Sequence, residues 1–117
     1  IEDRLVSAIA ERLQQLRMGD PRDPDTALGP LITERQRDRV EGFVRRAVTD
    51  SRAQLVTGGK AGDGPGFFFQ PTLIAGAQQT DEIVQREVFG PVVSVTRFDD
   101  IPQVIDWAND SEYGLAS

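Results

Sequence analysis

The sequence predicts an α/β chain in which two amphipathic helices precede a β-α-β unit built on a parallel sheet. Three observations predict it. Apolar residues recur every three or four positions in two early segments, residues 92–98 form a β-branched run, and a capped helical pattern separates that run from an apolar tail. A strand, a helix and a second strand in that order require a parallel crossover.

The first helix is expected from Asp3 to Arg17, with Leu5, Ile9, Leu13 and Leu16 as its buried stripe, and Gly19 and Pro21 end it. Asp20 to Pro30, rich in Asp and Pro, predicts an extended surface connector. The second helix begins with a capping box at Thr33-Glu34-Arg35-Gln36: the hydroxyl accepts from a backbone N–H and the Gln reaches back. Val40, Phe43, Val44, Ala47 and Val48 form its apolar stripe. A short strand at 54–57 and a glycine-rich turn at 58–66 follow. Phe67 to Gln70 and Thr72 to Ile74 have strand composition, and Pro71 between them implies an edge or a break. Val92 to Phe98 is the strongest strand signal, Asp99 or Asp100 can cap a helix carrying Val104, Ile105 and Ala108, and a last strand is expected from Tyr113 to Ser117.

Hydrophobic residues at 38% and charged residues at 27% of 117 exclude the disordered regime and predict a folded unit. The expectation is one partial domain over residues 1–117 with both ends cut, since the chain starts without Met and stops inside the apolar Leu115-Ala116-Ser117. The net charge is −6, and acids lie among Arg35, Arg37, Arg39, Arg45 and Arg46, so there is no one-sided basic face for nucleic acid. No window of eighteen apolar residues exists, and Ile1-Glu2-Asp3-Arg4 does not resemble a signal peptide, so no membrane partner and a cytoplasmic parent are expected. The chain has no Cys and no His, which removes disulfides, thiolate metal sites and every Ser-His or Cys-His pair.

The glycines from Gly58 to Gly66 lack the Walker and dinucleotide spacings and lead into a strand, where both motifs need a helix N-terminus. A hairpin-like loop is the better reading. Asp81-Glu82 and Asp99-Asp100 sit where helices begin, so capping and dipole complementarity explain them. Asn109-Asp110-Ser111 fits a glycosylation sequon and reads as a turn. Glu87-Val88-Phe89-Gly90-Pro91 is the segment with chemical content. A carboxylate there can accept from both hydroxyls of a ribose, Phe89 offers a flat apolar face, Gly90 permits close packing and Pro91 limits freedom. The competing reading is a solvent-exposed Glu beside a core Phe.

The run Glu87 to Pro91, followed by a β-branched strand, a helix and Asn109-Asp110-Ser111-Glu112-Tyr113-Gly114-Leu115-Ala116, resembles a signature of the aldehyde dehydrogenase superfamily. Gly29-Pro30-Leu31-Ile32, Val56-Thr57-Gly58-Gly59 and Gly66 to Leu73 fall in that family's order. The resemblance covers essentially the whole chain and implies part of the family's catalytic domain, downstream of its cysteine nucleophile. The wording of Asp81 to Glu87 and Trp107 to Ser111 is most similar to γ-aminobutyraldehyde and then betaine aldehyde dehydrogenases. It implies that Glu87 holds the nicotinamide ribose, that Phe89 packs near the nicotinamide, and that Gln36 and Arg39 reach the cofactor riboses. Arg39 stands where the family often has Lys, and Arg35 and Arg37 compete to explain the local charge.

The reaction so implied is thiolate attack on an aldehyde, hydride transfer to NAD(P)⁺ and hydrolysis of the thioester. No catalytic residue of that reaction lies in this chain, and the residue that separates NAD from NADP is outside it. The isolated chain is expected to be inactive. Exposed sheet edges favour pairing of copies, so a homo-oligomer is expected, and the alternative function is an inactive structural module that self-associates.

Overall fold

The computed structural model describes residues 1–114. Its elements run α1 (Glu2–Gln14), α2 (Glu34–Asp50), β1 (Gln54–Thr57), β2 (Thr72–Ala75), α3 (Glu82–Gln85), β3 (Val92–Val95) and α4 (Ile101–Asn109). The three strands form one sheet in the order β1-β2-β3. β2 and β3 pair in parallel, as expected for an α/β chain, while β1 pairs antiparallel with β2, so the sheet is mixed. The parallel crossover among the described residues runs from β2 through α3 to β3. The strand expected from Tyr113 lies, from Leu115 onward, outside the described residues.

β2 is the centre. Thr72, Leu73 and Ile74 are all fully buried. Successive side chains of a strand point to opposite faces, so three buried in a row require cover on both. Ile74 joins Val40, Val44 and Ala47 of α2, together with Ala53, Phe69, Ala77 and Ile83, in one core cluster. Leu73 is outside that cluster, and α1, which packs on β1 and β2, covers its face. Pro71 marks a break: Phe67 to Gln70 stay outside regular strand except for a bridge between Ala61 and Phe69 that closes the glycine-rich loop as a hairpin.

α1 ends at Gln14, three residues before the expected Arg17, because Met18 bridges to Leu28 instead of continuing the helix. Its inward side is Val6, Ile9, Ala10 and Leu13, while Leu5 is half exposed, so the buried stripe is rotated from the expected one. Val48 on α2 is likewise 41% exposed. The Asp20 to Pro30 segment is a closed loop, not an extended connector. Gly19 donates to Leu28 O, and Ala27 and Leu28 donate to Arg17 O. Asp20 and Asp23 make it turn by accepting from the backbone N–H groups of Arg22 and Asp25. The Arg22 guanidinium lies on the Asp20 carboxylate and holds its pKa below the ordinary value.

Thr33 caps α2 by accepting from Gln36 N at 3.1 Å. Asp100 caps α4 through Gln103 N. Arg46 on α2 grips Glu82 of α3 through two nitrogens at 2.7 and 3.2 Å, which joins the two helices and raises the Arg46 pKa. α4 has no buried residue among those described.

Candidate functional site

The Glu87 to Pro91 segment leads from α3 into β3 and lies against the first half of α2. Close approach begins at Gly90. A methyl carbon there would stand 2.6 Å from Val40 Cγ2 and 3.1 Å from its Cγ1. Val40 is completely buried, and its β-branched side chain is fixed in a helix, so it cannot give way. Space, and not a left-handed backbone, requires glycine at this position. Gly90→Ala is therefore expected to destabilise the protein by about 1–3 kcal/mol, in the range of core overpacking. Adding Val40→Ala removes both colliding methyls, so the double variant should lose less than the sum of the singles in urea denaturation; strict additivity would refute the contact.

Pro91 is held next. Thr72 N donates to Pro91 O at 2.9 Å, and Val92 N turns back to Gly90 O at 2.8 Å. The start of β2 thus pins the end of the segment.

The three carbonyls ahead of Gly90 all face donors from α2. Arg39 donates through Nη2 to Glu87 O at 3.0 Å and through Nη1 to Val88 O at 3.1 Å. Gln36 donates through Nε2 to Val88 O at 3.2 Å and to Phe89 O at 2.8 Å. The capping box is consequently half formed, because the Gln36 amide is drawn to these carbonyls and does not return to Thr33. Arg39 also lies over the Phe43 ring at 4.9 Å, with Arg46 over the same ring at 5.0 Å. The neighbouring Arg37 is tied to Glu34 and Asp38, so the charge at the motif comes from Arg39.

Phe89 has φ 57°, the one non-glycine positive φ among the described residues. A bulky side chain in that region costs on the order of 1–3 kcal/mol, and such a conformation persists where surrounding contacts impose it. The carbonyl contacts and the Gly90 approach impose it here. Phe89 is 66% exposed, which corrects the reading of it as a core Phe. The exposed Glu87 carboxylate has no hydrogen-bond or ion-pair partner among the described residues. A bare carboxylate two positions from a bare ring, on a backbone held at every carbonyl, can accept from a pair of hydroxyls and offer a flat apolar face to a ring.

An apolar groove lies beside the ring, lined by Pro30, Leu31, Ile32, Gln36, Phe89 and Gly90. Ile32 is 84% exposed and belongs to this surface, a residue that sequence reasoning passed over. One signal was available. Ile32 precedes the cap Thr33, where an apolar residue usually staples onto the fourth helical residue, and that residue is Arg37. An apolar residue denied its local partner is free to serve another surface. Among the described residues no cluster of His, Cys, Asp or Glu could hold a metal, and no helix is long and apolar enough to cross a membrane.

The family model described as "Aldehyde dehydrogenase family" matches residues 1–117. The chain is 41% identical to a 3,6-anhydro-α-L-galactose dehydrogenase of Vibrio sp. (strain EJY3), covering all of this chain and 25% of that protein. It is 42% identical to a betaine aldehyde dehydrogenase of Mesorhizobium japonicum, with the same coverage. A solved Mycobacterium tuberculosis aldehyde dehydrogenase complexed with NAD⁺ superposes with a TM-score of 0.91 at 41% identity, over 97% of this chain and 24% of that one. A Staphylococcus aureus betaine aldehyde dehydrogenase in complex with NAD⁺ gives 0.91 at 38% identity, over 98% and 24%. The chain therefore spans about a quarter of the length of the relatives it matches.

Proposed function

The chain belongs to the aldehyde dehydrogenase family, and from that premise we propose that the protein it forms part of oxidises an aldehyde to a carboxylic acid with NAD⁺, this segment supplying the nicotinamide-ribose wall of the site. The observation that carries the proposal is the segment fixed by α2: its carbonyls are engaged, while the Glu87 carboxylate and the Phe89 ring are left bare. NAD⁺ supplies the hydride acceptor when bound. Glu87 orients it by accepting from the two ribose hydroxyls, and Phe89 gives the ring an apolar face that excludes water from one side. Gln36 and Arg39, bonded to the same three residues, complete the cofactor-binding group. Glu87 positions and is not the base of the reaction, and with no cysteine or histidine the chain itself holds neither a thiolate nor an imidazole.

NAD⁺ is favoured over NADP⁺ because the solved relatives described above are NAD⁺ complexes. A small aminoaldehyde is the proposed substrate, supported by the betaine aldehyde dehydrogenases at 41 and 42% identity; the relative that takes an anhydrosugar marks the competing class.

In the whole protein, Glu87→Gln keeps one acceptor and loses the charge, so it should slow hydride transfer about 10- to 100-fold, the worth of one or two charge-assisted hydrogen bonds. Single-turnover formation of NADH measures it, and an unchanged rate would overturn the assignment. The isolated chain should reduce no NAD⁺ when mixed with aldehyde.

A second reading, a self-associating structural module, draws on the exposed Leu55, Val56 and Val93 of the two edge strands and on α4, which buries none of its residues. NAD⁺ titration during size-exclusion chromatography separates the two. Self-association of the chain with no response to NAD⁺ favours the module.

A further inference from the structure

We propose that Gln36 and Arg39 are positioning residues, which act on the cofactor wall through the backbone of residues 87–89. The inference rests on the reading of Glu87 and Phe89 as that wall, and it gives the two α2 side chains a role through the backbone.

The donor inventory carries it. A glutamine amide has two N–H groups, and both of those on Gln36 are taken, by Val88 O and Phe89 O. Arg39 spreads its fork over two adjacent carbonyls, of Glu87 and Val88, with its guanidinium carbon 4.9 Å from the centre of the Phe43 ring. Both N–H groups of the Gln36 amide and two of the five of Arg39 are thus spent on the backbone of the segment. What these bonds accomplish is visible at Phe89, whose left-handed backbone is unfavourable for a bulky residue and needs its neighbours' carbonyls fixed. With all three carbonyls turned to α2, the Glu87 and Phe89 side chains stand exposed on the outside. The clamp is thus what presents them.

Gln36→Glu separates the two roles sharply. A carboxylate accepts from a ribose hydroxyl as well as an amide oxygen does, so direct contact predicts that the variant works. A clamp predicts failure, because an acceptor would face two carbonyl oxygens. In the whole protein, Gln36→Glu should slow single-turnover hydride transfer by about tenfold or more, and more than Gln36→Ala does, since it replaces attraction by repulsion. Within residues 86–92, the hydrogen-bonded amides of Arg86 and Val92 should exchange with solvent about tenfold faster in that variant without NAD⁺, while the amides of β2 stay protected. Arg39→Lys, which keeps the charge and loses the fork, should fall between wild type and Arg39→Ala in both measurements. Unchanged exchange at 86–92, or Gln36→Glu transferring hydride at the wild-type rate, overturns the clamp. Failure of the underlying reading looks different. Glu87→Gln would then leave hydride transfer unchanged even though exchange at 86–92 responds to Gln36→Glu, and that result overturns the positioning role by removing the wall it serves.

Discussion

Phe69→Ala is expected to cost about 3–5 kcal/mol, the range for emptying a fully buried aromatic site. Phe69 is 1% exposed and packs in the core cluster with Val40, Val44 and Ile74. It also lines a second groove with Gly29, Pro30, Gly90 and Pro91, so its loss reaches the segment that carries the candidate site as well as the core. The loss is a large share of the roughly 5–15 kcal/mol that keeps a typical domain folded. Phe67, two positions earlier and 38% exposed, is the control: Phe67→Ala removes less buried area and leaves no enclosed cavity, and the Leu31 N bond to Phe67 O is made by the backbone. Urea denaturation should show a large fall in midpoint for Phe69→Ala and a clearly smaller one for Phe67→Ala. Equal shifts would mean that the two rings are not divided between core and surface in this way.

Gly58→Ala should destabilise the protein by about 2–5 kcal/mol, combining overpacking with the cost of a left-handed residue. Gly58 has φ 75°, and a methyl carbon on it would come within 2.3 Å of Pro71 O and 2.7 Å of Thr72 Oγ1. The first of these is backbone and cannot swing aside. Thr72 is buried and engaged twice, donating to Gln70 O at 2.7 Å and accepting from Gly59 N at 2.8 Å. Its own N–H holds Pro91 O, so a displacement at Gly58 passes through Pro71 and Thr72 to the segment that carries Phe89. Beyond the fall in stability, amide exchange at residues 86–92 should quicken. A Gly58→Ala protein as stable as wild type would show that the β1 turn is not latched on β2. Gly64 offers the comparison: its φ is also positive, but a methyl there meets nothing within 4 Å, so Gly64→Ala should cost only the backbone term.

Much of the secondary structure was legible because its signals are local. Thr33 and Asp100 cap the helices they were expected to cap, and the β-branched run at 92 opens a strand that pairs in parallel with β2. Expectations fell short where a partner distant in sequence competed with the local one. Asp20 to Pro30 contains turn-forming aspartates, yet its closure depends on Met18 meeting Leu28. The Gln36 amide had a plausible partner three residues back and took carbonyls 52 and 53 positions away. Of the phenylalanines at 67, 68 and 69, composition could not choose which one is buried.

The sequence by itself determined the helices, the α/β order and the Glu87-to-Pro91 motif with the family it resembles, since periodicity, capping and motif spacing are properties of neighbouring residues. The tertiary structure alone decided that Phe89 is exposed on a left-handed backbone, that Arg39 and not Arg37 serves the motif, and that Gly90 is required by Val40. The physical reason is common to all three. Hydrogen-bond donors and packing space are shared out among every group within reach, and which groups are within reach is set by how α2 lies against the turn into β3.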